Sequence, residues 1–239
     1  MEVGATSRCA VAYVDAPKAL ARSGVWNDDP DPSAEGYAQK LSNYLSPSVV
    51  DDGLFATHSA LFAPWGQYMY TGTGKQQLAP PSFIALLIER AMVLNQANQY
   101  EWIAPSSRKH NLTIGKLAYN VPKKLLDQWQ GTDGTSLNVI ANIPDLGTSV
   151  WGDSTLFNVP PATWNALQNL TTRKLINALR DQSYKCGIAI TFQYNNEEAY
   201  SKFEVGMTPL LDTMKIQKWL ANIHIFYYFC RNLSKRIVF

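Results

Sequence analysis

A chain of 239 residues with 46% apolar and 17% charged residues can bury a sizeable core, which excludes general disorder. Its net charge of +2 gives no basic field of the kind that nucleic-acid binding requires, so no direct nucleic-acid partner is expected. Cys9, Cys186 and Cys230 are scattered, which argues against a disulfide framework and a paired zinc-ligand spacing and for buried thiols in a reducing compartment.

Met1 to Arg8 lacks the basic-then-apolar pattern of a signal peptide, and the apolar stretch Trp219 to Phe229 is too short to span a bilayer. No membrane insertion is expected. The low charged fraction suits a protein that hides much of its surface against neighbours.

In chain order, Cys9 to Val14 reads as a buried strand ended by Asp15–Ala16–Pro17. A Pro- and Asp-rich loop follows, then Ala34, Tyr37, Ala38, Leu41, Tyr44 and Leu45 recur at helical spacing before Pro47. Ala56 to Ala63 reads as a second strand, broken by Pro64–Trp65–Gly66, and Thr71–Gly72–Thr73–Gly74 as a turn. Pro80–Pro81–Ser82 opens a helix over Phe83 to Leu94 that is apolar on most of its circumference and so expected between two layers. Trp102 to Ala104 and Leu112 to Ile114 read as short extended pieces, and Pro122 begins a short helix through Trp129.

Leu137 to Ala141 and Thr148 to Gly152 form two strands joined by a turn over Ile143 to Gly147. Pro160–Pro161 introduces a long helix from Thr163 to about Ser183, with Leu167, Leu170, Lys174 (through its stem), Ala178 and Leu179 roughly on one face. Ile188 to Phe192 reads as another buried strand and Glu197 to Met214 as a final helix. Apolar strands alternating with helices predict an α/β domain whose central, largely parallel sheet carries helices on both faces.

Several stretches, in order, resemble the central domain of contractile bacteriophage tail sheath proteins. Arg8 to Val14 is similar to that domain's first strand, and Ser59 to Trp65 to its strand ending in Pro-Trp. Ala79–Pro80–Pro81–Ser82 is similar to its Val-Pro-Pro-Ser segment, and Trp102–Ile103–Ala104–Pro105 to its Trp-x-Ala-Pro element. The strongest likeness lies in Leu137–Asn138–Val139–Ile140 followed by Val150–Trp151–Gly152 and then Thr155–Leu156. Leu170 to Leu175 resembles the family's Asn-Val-Arg-Arg-Leu helix, and Thr191 to Asn196 its Phe-Glu-x-Asn turn.

There are two departures. Asp153 and Ser154 stand where the family has Ala-Arg, so a contact made by that Arg is absent or moved. After Lys215 the family continues into a further domain, whereas Ile216 to Phe239 is an aromatic and basic tail without a recognised counterpart. The expected organisation is therefore a central sheath domain over residues 1–215, often described in the family as subtilisin-like, and a divergent tail over residues 216–239.

The resemblance implies a structural subunit that assembles with copies of itself in helical rings around a tail tube and meets baseplate and tail terminator proteins. It would be assembled in the host cytoplasm, sit in the virion's tail, and contract to drive the tube through the host envelope. A phage-derived contractile injection system is the related alternative. Such work needs a metastable array in which a few kcal/mol per subunit add up, and strand exchange between neighbours. It needs neither enzyme chemistry nor a cofactor.

An α/β hydrolase or protease and a generic binding protein are the competing readings. His58, beside Thr57 and Ser59 with Asp51 and Asp52 upstream, is the nearest approach to a Ser-His-Asp grouping, but no Gly-flanked nucleophile elbow accompanies it. His110 reads as a loop residue and His224 as a core or interface group. Thr71 to Lys75 lacks a P-loop's spacing, and Gln76 stands where Ser or Thr is needed. Asp28–Asp29 are merely adjacent, and Glu197–Glu198 suit a helix N-terminus. Trp129, Trp151 and Trp164 are expected in or beside the core, with Trp26 and Trp65 as candidates for subunit contacts. No residue is assigned as catalytic, cofactor-binding or metal-ligating.

Overall fold

The computed structural model describes residues 10–16, 56–69, 72, 74–95, 102, 116–117, 137–143, 147–157, 165–194 and 196–216. The expected helix over Ala34 to Leu45, the short helix from Pro122, and the tail beyond Ile216 lie outside them. So do Cys9, Cys230, Trp26, Trp129, Trp164, Asp28, Asp29, Asp51, Asp52, His110 and His224.

The chain divides into two compact units, the first ending at Leu175 and the second beginning at Ile176. The first is built on a four-stranded sheet in the order β1 (Ala12–Asp15), β2 (Ser59–Ala63), β5 (Leu137–Ile143), β6 (Gly147–Trp151). β1–β2 and β2–β5 are parallel and β5–β6 is antiparallel, which gives the mostly parallel α/β sheet that the apolar runs predict.

Registers Tyr13↔Ala60, Phe62↔Asn138 and Ile140↔Val150 align the side chains of one face. There Ala60, Phe62, Ile140 and Val150 pack with Ile84, Ala85, Ile88 and Met92 of α1 (Pro81–Asn95) and with Leu170. Tyr13 stacks on Phe62 with ring centroids 4.7 Å apart. The opposite face buries Leu61, Ala63, Leu137, Val139 and Ala141 against Leu156 and Ala56. All five residues of β2 are thus buried, as expected for a strand covered on both sides. Among the described residues this second face is covered by Ala16, by Ala56 in a helical turn, and by Leu156 and Phe157.

α1 begins where the double proline predicts. Its first turn is capped from afar, since Asp15 at the end of β1 accepts the Ser82 N–H at 2.7 Å and the Ser82 hydroxyl at 3.1 Å. Asp15 therefore belongs to the strand and anchors the helix, rather than simply ending the strand. α1 is not enclosed all round, because Phe83, Leu86 and Leu94 are exposed.

Between β2 and α1 lies a hairpin that the sequence patterns did not reveal. After the cis Ala63–Pro64 peptide, β3 (Gly66–Met69) pairs antiparallel with β4 (Gln76–Ala79). Gly66 is closely packed, because a Cβ there would stand 2.8 Å from Ile84 Cδ1 and 3.2 Å from Leu117 Cδ2, and those side chains would have to shift.

The expected helix from Thr163 starts later. Asn165 caps a short 3-10 turn (Ala166–Gln168) through a reciprocal capping box with Gln168, and α2 (Leu170–Ile190) begins only after it. At its other end α2 absorbs Ile188 to Ile190 of the segment expected as a buried strand, and Thr191 and Phe192 follow in a turn. The spacing of Ile188, Ile190 and Phe192 mimics a strand period. However, Ile188 and Phe192 are exposed, and Thr191 Oγ1 and Gln193 Nε2 return hydrogen bonds to the Gly187 and Ala189 carbonyls of the last helical turns.

In the second unit α2 is followed by α3 (Glu197–Ile216), where Asn196 Oδ1 accepts the Ala199 N–H and Glu197 and Glu198 occupy the first turn, as expected. Gln182 Nε2 donates to the Gly206 carbonyl at 3.1 Å. A Cβ at Gly206 would lie 2.7 Å from the Cys186 sulfur, so the helices meet at a glycine. Gly206→Ala is expected to cost about 1–3 kcal/mol in chemical denaturation. Adding Cys186→Ala, which removes the clashing sulfur, should recover part of that loss.

Candidate functional site

The residues that carry the strongest sequence likeness form one hydrogen-bonded node. Asn138, near the start of β5, is 0% exposed. Its Nδ2 donates to the carbonyls of Leu61 (3.2 Å) and Ser154 (2.8 Å), and its Oδ1 accepts the Ser154 N–H at 2.8 Å. One amide thereby fixes β5 to β2 and to the segment that leaves β6. That segment leaves through Gly152, whose φ of 141° favours glycine.

Farther along, Leu156 N–H donates to the Ser59 carbonyl at 2.8 Å. Thr155 donates its N–H to the Gln168 carbonyl at 2.7 Å and its hydroxyl to the Leu167 carbonyl at 2.8 Å. Asn138, Gly152 and Thr155 are therefore positional requirements of the fold, with no chemistry implied.

Asp153 takes up a separate role at α2. Its carbonyl accepts the Leu170 N–H, and its Oδ1 accepts both the Thr171 N–H and the Thr171 hydroxyl at 2.9 Å. It supplies the partners that the first amides of the helix would otherwise lack. Burial pushes the Asp153 carboxyl above its ordinary range. The Thr171 bonds and Lys174 oppose that shift, whereas Glu89 reinforces it.

Of the catalytic grouping considered from sequence, the described members His58 and Ser59 are buried. His58 is 1% exposed, with Nδ1 3.1 Å from Thr57 Oγ1, and Ser59 is equally buried at the start of β2. A nucleophile and its base must both reach a substrate, and neither residue meets that demand. Gly72, Gly74 and Lys75 are exposed at the β3–β4 turn, where a strand follows and not the helix that a phosphate loop requires. Among the described residues, no cluster of three or more His, Cys, Asp or Glu could hold a metal ion, and no helix is long and apolar enough to cross a membrane.

Trp65 is half-buried, and its indole N–H donates to the Ala16 carbonyl at 2.8 Å. It ties the end of β2 to the end of β1 and keeps part of its surface exposed. Trp151 packs on the second sheet face as expected. Cys186 is a buried free thiol.

Large apolar groups are exposed instead around the α2–α3 connection. Tyr184, Ile188, Phe192 and Tyr194 all face solvent, and Phe192 has a positive φ of 66° that a bulky residue rarely adopts. Phe192 thus combines an unfavourable backbone with an unburied ring. Composition could not single it out, because its sequence reads as part of a buried strand.

The fold is a mixed α/β fold with a mostly parallel four-stranded sheet. No protein-family model matches the chain, and no curated protein is found to be similar to it in sequence. Among solved structures it is similar to a chain of the cryo-EM structure of an extracellular contractile injection system, PVC sheath complex in contracted state. The TM-score is 0.54 at 21% identity, over 70% of this chain and 43% of that one. It is also similar to a chain of the cryo-EM structure of the anti-feeding prophage (AFP) baseplate, six-fold symmetrised. There the TM-score is 0.52 at 15% identity, over 80% of this chain and 53% of the other. At these identities the likeness is one of fold, and the chain spans about half the length of the solved chains it matches.

Proposed function

We propose that this chain is a structural subunit of a contractile sheath, acting by assembly with copies of itself and without enzymatic turnover. The observation that carries this reading is the fold likeness to a chain of a contractile sheath complex. The ordered sequence motifs support it further, because the strongest of them coincide with the Asn138–Ser154 node that organises the same sheet. On this reading residues 1–215 correspond to the central sheath domain and residues 216–239 to a divergent tail. The partners are other sheath subunits, a tube protein, and baseplate and terminator proteins. The setting is a phage tail or a related injection apparatus, with the tail of a virion as the more specific form.

Tyr184, Ile188, Phe192 and Tyr194 are contact candidates beside Trp65, since exposed apolar clusters mark association surfaces. Sedimentation velocity of the full chain should show concentration-dependent association that Phe192→Ser with Tyr194→Ser weakens at least tenfold, roughly the loss of 1.4 kcal/mol. A single species that is independent of concentration and identical in both proteins would count against the reading.

A further inference from the structure

A buried charge cluster joins three elements of the first unit. Glu89 of α1 is its hub. Oε1 lies 2.5 Å from Lys174 Nζ of α2, and Oε2 accepts a hydrogen bond from the hydroxyl of Tyr13 in β1. Lys174 Nζ also lies 5.2 Å from the centre of the Tyr13 ring. The side chains of Lys174 and Glu89 are only 11% and 12% exposed.

Asp153, at the head of α2, adds a second carboxylate that interacts with both Lys174 and Glu89. Thr171, which Asp153 caps, lies one helical turn before Lys174, so both carboxylates gather with the Lys174 ammonium in a poorly solvated space where carboxylate repels carboxylate. Tyr13 cannot relieve this by ionising. Burial, then the charge of Glu89 and its hydrogen bond, push the phenol well above its ordinary range and keep it a donor.

We propose that Tyr13, Glu89, Asp153 and Lys174 form a proton-linked latch, which holds the first turn of α2 against α1 and β1 most firmly when the cluster carries one extra proton on Asp153. The geometry gives Asp153 a way to keep its capping role in either state. Its Oδ1 accepts from Thr171, which leaves Oδ2 able to carry the proton.

The direction of the pH dependence follows from the raised Asp153 value. The stabilising contribution is fully present below the unfolded carboxyl value of 3.8 and is lost as pH rises through the higher folded value. The groups acting on Asp153 are Thr171 and Lys174 from α2 and Glu89 from α1, while Tyr13 of β1 feels its charge in turn. The latch is a property of this cluster and does not depend on the sheath reading.

The test is hydrogen exchange at residues 171–174 of the full chain between pH 4 and 8, corrected for intrinsic exchange, together with the carbon-detected titration of the Asp153 carboxyl. In the wild type, protection should fall as pH rises, by about tenfold for each unit that the folded value exceeds 3.8. Asp153→Asn keeps an oxygen for Thr171 but cannot ionise, so it should abolish that slope. Glu89→Gln removes the repelling charge and should move the Asp153 midpoint downward. An unchanged slope in Asp153→Asn would overturn the proposal. So would a wild-type Asp153 midpoint at or below 3.8, a reading that needs no variant to fold.

Discussion

Asn138→Leu should lower unfolding stability by about 2–4 kcal/mol in urea denaturation, because it strips partners from several backbone groups at once. Asn138 is fully buried and bonded to the Leu61 carbonyl and to both the N–H and the carbonyl of Ser154. A leucine has the same branching but no polar atoms, so it leaves those Ser154 groups without their partner. Each such group costs about 1–3 kcal/mol when water does not replace the bond.

Aspartate at this position should be at least as harmful at neutral pH. It retains the acceptor for the Ser154 N–H but turns a carboxylate toward two carbonyls that formerly received hydrogen bonds. Asn138→Asp should therefore recover stability on acidification, when a protonated carboxyl can donate to one of them. If Leu and Asp variants both unfold within 0.5 kcal/mol of the wild type, roughly the range of inconsequential surface changes, the node does not organise the sheet.

Lys174→Met should cost about 3–5 kcal/mol, the usual consequence of removing one partner from a buried ion pair. Glu89 would keep the hydrogen bond from Tyr13 but lose its cation at a site where both paired side chains are largely shielded from water. Removing the carboxylate as well should restore much of the loss, because an apolar pair of comparable volume carries no desolvation penalty. A double-mutant cycle of Lys174→Met and Glu89→Leu in urea therefore should give a coupling of more than about 1 kcal/mol. Simple additivity would show that the pair contributes nothing specific to holding α2.

The strands at the centre of the sheet were legible because β2 and the first five residues of β5 are buried without alternation and, Ser59 and Asn138 apart, apolar. The neighbouring strands β5 and β6 and the proline entry of α1 were equally plain. The β3–β4 hairpin was not, since Gly66–Gln67–Tyr68–Met69 and Gln76–Gln77–Leu78–Ala79 have no β-branched residue and little periodicity. Ile188 to Phe192 misled for the opposite reason, because its spacing suits a strand while the helix keeps its hydrogen bonds and exposes the apolar groups.

The long-range polar contacts were the least legible. Asp15 caps a helix 67 residues away, which no local window contains. Glu89 did leave a signal. It lies in the stripe Ala85, Ile88 and Met92, all buried, and a carboxylate within such a stripe requires a partner. Lys174, placed on the buried face of its helix through its stem, proves to bring its charge inside as well. At Asp153 the departure from the sheath pattern was visible, but its capping of α2 depends on where Thr171 falls in space.

Cryo-electron microscopy of the full chain across a concentration series tests the central claim most directly, since a sheath subunit is defined by what it builds. The expected images are hollow rings or tubes, with this α/β body as their repeating unit. Particles that remain isolated monomers at every concentration, with no ring or helical repeat, would contradict the assignment.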